Sequence, residues 1–155
     1  MKLLLIQHGE AVDKEMDPDR PLAASGVECV RRVARFVKGS GVTVDGVWHS
    51  GKTRAAQTAR LVAEQIAPGC RPVEETGLKP NDDATTIARV LESHERDLAI
   101  AGHMPHLSRL ASVLLTGSDK QEVVAFQRGG IVALERDAAG AWRILWAVPP
   151  GLVRE

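Results

Sequence analysis

The sequence predicts an α/β fold: a three-layer sandwich with a mostly parallel central sheet flanked by helices. Three observations carry this reading. Short apolar runs alternate with segments of helical periodicity. The runs at 2–7 and 97–101 are apolar on both faces, as strands covered on both sides must be. The tail changes character and reads as two strands around a turn, a C-terminal antiparallel hairpin.

Each element has its own signal. Lys-Leu-Leu-Leu-Ile-Gln at 2–7 is the first strand, closed by His8-Gly9. A polar loop follows and ends at Pro21. Val27, Val30, Val33, Ala34 and Val37 then recur at helical spacing, and Gly39-Ser40-Gly41 stops that helix. Residues 42–48 read as a second strand. Ser50 is placed to cap a helix with the apolar side Ala55, Ala59, Val62 and Ile66, ended by Pro68-Gly69. Residues 71–74 form a short strand, and Asp83 caps a third helix through Ile87, Ala88 and Leu91. The run at 97–101 is closed by Gly102-His103, and Pro105 suits a first helical position ahead of Leu107, Leu110, Ala111 and Leu114. The hairpin strands are 131–135 and 142–148. In the second, simple alternation puts Trp142, Ile144, Trp146 and Val148 on one face. One domain over 1–155 is expected from this length.

Composition excludes several classes. Twenty Lys+Arg balance twenty Asp+Glu, so no global field draws nucleic acid or anionic membrane, and any anion site must be local. Aromatics are 3% with no Tyr, which leaves no base-stacking platform. Cys29 and Cys70 stand far apart with no C-x-x-C, so neither a disulfide framework nor a zinc knuckle is expected. The apolar run after Lys2 is too short for a secretory signal, and no run is long enough for a membrane helix. A cytoplasmic monomer without cofactor or metal is expected.

Chemistry concentrates at predicted strand ends, where α/β sheets bind ligands. His8 closes the first strand, Arg54 follows the second, and His103 closes the run at 97–101. Singly, each has a plain structural explanation: a turn histidine or a solvated helix arginine. Together on neighbouring parallel strands they would form one rim of imidazole, guanidinium and helix N-termini, suited to a phosphoryl group.

The motifs resemble a known family. Gln7-His8-Gly9-Glu10 is similar to the Arg-His-Gly signature of the histidine phosphatase superfamily. Ser50-Gly51-Lys52-Thr53-Arg54-Ala55-Ala56-Gln57-Thr58-Ala59 resembles its Ser-Pro-x-x-Arg-Ala-x-Gln-Thr-Ala motif, and Gly102-His103-x-Pro105 its late Gly-His element. The short length, Arg20-Pro21-Leu22 and Gly26 resemble the compact SixA-type phosphohistidine phosphatases. The resemblance runs from residue 2 to about 148. It implies a phosphoglycerate-mutase-like fold and a metal-independent phosphatase. His8 would be the nucleophile, forming a covalent phosphohistidine. Arg54 would clamp two phosphoryl oxygens, and His103 would bond a third, best as imidazolium. Gln7, Arg20 and Ser50 would be further substrate contacts, with helix capping an equal alternative for Ser50. Gly9 would let the chain turn tightly.

Two departures matter. Gln7 stands where the signature has arginine, and Gly51 where proline is usual. Losing a charged donor costs roughly 10²–10³ in rate, so either Arg20 or Lys52 supplies the charge or the enzyme is slow or inactive. The change to Gly51 is expected only to loosen the helix start. No general acid is evident, although Glu74, Glu75, Asp82 and Asp83 fall in the right stretch. That favours phosphohistidine, whose imidazole leaving group is less basic than an alkoxide and leaves readily once its ring is protonated, carried on a signalling or phosphotransfer protein and met by a shallow pocket. Three rival readings stand: a non-catalytic phosphoprotein-binding module on the same fold, a P-loop through Gly46-x-x-x-x-Gly51-Lys52-Thr53, and a histidine metal site.

Overall fold

The computed structural model describes residues 1–154. The chain runs β1 (Lys2–Gln7), α1 (Ala24–Gly39), β2 (Gly46–His49), α2 (Thr53–Ile66), β3 (Val73–Glu74), α3 (Ala84–Glu92), β4 (Leu98–Gly102), α4 (His106–Thr116), β5 (Ile131–Arg136) and β6 (Trp142–Val148), then a 3₁₀ turn at Pro150–Leu152. Among the described residues six strands form one sheet in the order β3-β2-β4-β1-β5-β6. The β1–β4, β2–β4 and β2–β3 pairs are parallel; β5 runs antiparallel to β1, and β6 to β5. The ends of β1, β4 and β2 therefore lie side by side.

Alternation along β1 explains the three layers. Leu4 and Ile6 face α1 and α2 through Val30, Val33, Val37, Val62 and Ile66. Leu3 and Leu5 face α3 and α4 through Ile87, Leu91, Leu107 and Leu110. Each buried side chain of this size contributes about 1.5–3 kcal/mol, so the apolar run of β1 anchors both layers at once. Asp83 caps α3 as expected, its carboxylate accepting from Thr85 N at 2.9 Å.

Two strand expectations need correction. The second strand is shorter than 42–48 and starts at Gly46. Val44 N donates to Ile66 O and Asp45 N to Asp97 O, so this apolar stretch ties a helix end and a loop together ahead of the ladder. The four aromatic and aliphatic residues of β6 also do not share a face. The register shifts between Ala133 and Leu134, whose partners are Trp146 and Ile144, leaving Leu145 as the extra residue. The bulge inverts the alternation. Trp142 packs with the α3/α4 core, and Trp146 and Val148 with the α1/α2 core.

Candidate active site

The sheet edge at the ends of β1, β2 and β4 gathers His8, Arg54, His103 and Ser50. The turn after β1 leaves the sheet with His8 N bonded to Gly102 O at 3.0 Å. Gly9 is needed there for space. Its φ is not positive, and a Cβ would meet Gly26 O and Val30 Cγ2 of α1, each at 2.9 Å. A Cβ on Gly26 would strike the backbone of Glu10 in return, so two glycines let the turn lie against the helix.

His8 is fixed through both ring nitrogens. Nδ1 lies 2.7 Å from Gly9 O, a pure acceptor, so Nδ1 carries the proton. Nε2 is then the lone-pair nitrogen, and it accepts from Arg54 Nε at 3.3 Å. Burial lowers the His8 pKa below 6.5. The Gly9 carbonyl pulls it up, and the charges of Arg54, Arg128 and Arg20 push it down. The ring is neutral at neutral pH.

His103 lies beside it, ring centroids 5.1 Å apart. It is buried, and its Nε2 is 2.6 Å from Ser50 Oγ. Burial, then the neighbouring charges of His8, Arg54, Lys52 and His106, lower its pKa to about 3. Dehydration and the surrounding positive charge hold His103 neutral at rest, so the imidazolium expected while negative charge accumulates is not the resting form. Ser50 is not the cap of α2. Lys52 is the N-cap, without a side-chain bond, while Ser50 Oγ accepts from Lys52 N at 3.3 Å and meets His103.

Gly51 does more than loosen the helix start. Its φ of +88° lies outside proline's range, and the Glu74 carboxylate occupies the space a Cβ would fill. The P-loop reading also fails here. Gly46–His49 is ladder-paired strand, so its N–H groups are not free to wrap phosphates. Among the described residues no group of three or more His, Cys, Asp or Glu is arranged to hold a metal ion.

Arg20 reaches the same rim. It adopts a left-handed φ of +48°, donates from Nε to Val12 O at 3.2 Å, and lowers the pKa of Arg54 second to burial. Gln7 ends β1. Its carbonyl accepts from Gly129 N at 2.8 Å, and its amide makes no side-chain hydrogen bond among the described residues. Two open hollows share residues with this rim: about 390 Å³ lined by Lys14, Asp19, Arg20, Lys52 and Arg54, and about 300 Å³ lined by Ser50, Glu74, Glu75 and Asp82.

The ion pairs are instructive by position. Arg96–Asp45, Arg136–Glu95 and Arg143–Glu135, the pairs among the described residues, all sit at the opposite end of the sheet. Arg20, Lys52, Arg54 and Arg128 enter none of them. A chain of zero net charge thus keeps a cluster of cations without ion-pair partners around two neutral imidazoles. Such a surface has the charge and the free donors to suit an anion.

Residues 3–80 match the family profile described as histidine phosphatase superfamily (branch 1). The chain belongs to the histidine phosphatase superfamily. An uncharacterized protein of a Picosynechococcus strain is 30% identical over 147 residues, covering 90% of this chain and 87% of its own length. The phosphohistidine phosphatase SixA of Escherichia coli is 23% identical over 159 residues, covering 97% and 94%. The solved structure of the protein histidine phosphatase SixA complexed with tungstate superposes with a TM-score of 0.86 at 24% identity, covering 97% and 98%. That likeness bears out the phosphoglycerate-mutase-like sandwich. An α-ribazole phosphatase from Shigella flexneri also superposes, with a TM-score of 0.76 at 18% identity over the full length of both chains, so this superfamily fold does not by itself select a substrate.

Three contributors were not assigned roles from sequence. Thr58 is buried; its Oγ1 accepts from Gly9 N at 3.2 Å and donates to Arg54 O at 2.8 Å, tying α2 to the His8 turn. Gln57 Oε1 accepts from Leu22 N at 2.6 Å and fixes the loop that carries Arg20. Both lie inside the second motif, which was the available signal. Arg128, whose charge reaches His8, lies in no motif.

Proposed function

We propose that this superfamily member is a metal-independent phosphatase that hydrolyses protein-borne phosphohistidine through covalent phospho-His8. The observation that carries the reading is the state of His8: one tautomer, a lone pair on Nε2, and the Arg54 fork beside it. An arriving phosphoryl group draws the Arg54 N–H groups onto its oxygens and frees Nε2 for in-line attack. The Nε2–P bond forms as the P–N bond to the substrate imidazole breaks, and that ring, already protonated from solvent on its other nitrogen, leaves as neutral imidazole. Water then cleaves the Nε2–P bond to release orthophosphate. The guanidinium groups supply the positive charge that phosphoryl transfer requires. A dianion beside His103 raises its pKa, so this ring takes up a proton on substrate binding and becomes the donor of a charge-assisted hydrogen bond.

Substrate choice follows from the carboxylates. Asp82 accepts from Lys79 N and Asp83 caps α3, so both serve local structure. An imidazole leaving group needs no dedicated acid. The hollow lined by Glu74 and Glu75 beside Ser50 favours a second reading, a phosphomonoesterase using one of them as proton donor. Brief incubation with a radiolabelled phosphohistidine protein, quenched in alkali, tests the mechanism. Label should pass to the wild type and not to His8→Ala; equal hydrolysis by His8→Ala overturns it. Faster turnover of phosphoserine than phosphohistidine selects the second reading. Retention of the phosphoprotein without turnover, unchanged by His8→Asn, selects the binding module.

A further inference from the structure

The strand-end position before the nucleophile lacks charge, since Gln7 is neutral and its amide is unengaged among the described residues. The segment bonded to the backbone of this position is the loop between α4 and β5. Its tip, the turn at Arg128-Gly129, is pinned from two sides. Gly129 N donates to Gln7 O at 2.8 Å. Gly129 has a φ of +78°, and a Cβ there would meet Cys29 Sγ of α1 at 2.9 Å. Cys29 Sγ in turn lies 3.9 Å from Arg128 O, as donor to that carbonyl. The backbone of residue 128 is therefore held between β1 and α1, next to the residue that lacks the cation.

The Arg128 side chain is exposed and, among the described residues, makes neither a hydrogen bond nor an ion pair. Its charge nonetheless acts on His8, ahead of that of Arg20. The other two candidates are less well placed. Arg20 spends its Nε on Val12 O, and Lys52 acts on His103. Resting on the phosphatase reading above, we propose that Arg128 binds a phosphoryl oxygen in place of the cation absent at position 7. The charge would thus come from a pinned turn rather than from the strand end.

A double-mutant cycle tests this, with two readouts on the intact chain. These are the dissociation constant for tungstate, and kcat/KM on a phosphohistidine protein. Arg128→Ala should weaken tungstate about tenfold and lower kcat/KM by about 10²-fold. Arg128→Lys should recover part of both. Gln7→Arg should restore the Arg128→Ala protein to within a few-fold of wild type, yet add little when Arg128 is present. Tungstate affinity unchanged in Arg128→Ala, or a gain from Gln7→Arg that is the same with and without Arg128, overturns the proposal. An enzyme that needs His8 but ignores position 128 defeats this inference alone. Loss of tungstate in Arg128→Ala from a protein with no turnover defeats the catalytic reading and supports the anion contact.

Discussion

The two ends of the sheet use arginine in opposite ways. At the end away from His8, the Arg136 guanidinium is consumed. It donates to Leu91 O, to Glu92 O at 3.3 Å and to His94 O at 2.7 Å, closing the carboxyl end of α3. It also stands 5.6 Å from the Trp142 ring centre and pairs with Glu95. At the His8 end, Arg54 gives one N–H to His8 and Arg20 one to Val12, and none of the rim cations meets a carboxylate. Arg136 stabilises the fold because its donors are satisfied. Arg54 can serve chemistry because most of its donors are free. The overall charge balance conceals this partition: composition requires only that an anion site be local, and the geometry shows where the cations without ion-pair partners gather.

The sharpest way to break the comparison is to exchange the effects of the two residues. Arg54→Ala should cost about 10²–10³ in kcat/KM with little change in the urea midpoint, and Arg54→Lys should recover only part, because a point charge lacks the fork. Arg136→Ala should do the reverse. It orphans three carbonyls at a helix end and lowers stability by about 2–4 kcal/mol in urea unfolding, with kcat/KM unchanged. If Arg136→Ala impairs turnover as much as Arg54→Ala does, the division between the ends is wrong.

A pH titration separates them next. His8, His103 and His106 all hold pKa values below 6.5 in the folded chain, with burial the first cause in each. The unfolded chain therefore binds more protons at pH values beneath 6.5. Stability is full above about pH 6.5 and falls as the pH drops toward 3, and His103→Asn should flatten that slope. In the same direction kcat/KM falls as His8 gains a proton and loses its lone pair. A stability that rises on acidification would contradict the burial of these rings.

The smallest expected effect sharpens how the site is held. Thr58→Val removes the acceptor of Gly9 N and should cost about 1–2 kcal/mol. It should also loosen the His8 turn enough to lower kcat several-fold while KM changes less, which pre-steady-state kinetics on a phosphohistidine substrate would resolve.

Legibility from sequence tracked how local the cause was. The strand β1 was readable because four apolar residues in a row leave no polar face, and Asp83 was readable because a cap acts within its own turn. Arg54 and His103 were readable because each follows a recognisable strand closely. The faces of β6 were not, since the bulge at Leu145 is defined only by the pairing with β5. Residues 42–44 have strand composition but spend their bonds on Ile66 and a neighbouring loop. The neutral state of His103 depends on burial and on cations from separate segments. The charge of Arg128 acts on His8 only because a distant turn docks on Gln7.

The contact between Arg54 and His8 Nε2 carries one more consequence. At rest the reactive electron pair is occupied, and only something that competes for the guanidinium uncovers it. An uncharged phosphorylating agent, such as a triester, offers no such competition and should leave the imidazole unmodified. In the proposed mechanism a dianion opens the site by its own charge, which would shield the ring from neutral electrophiles and still let it answer to a charged substrate.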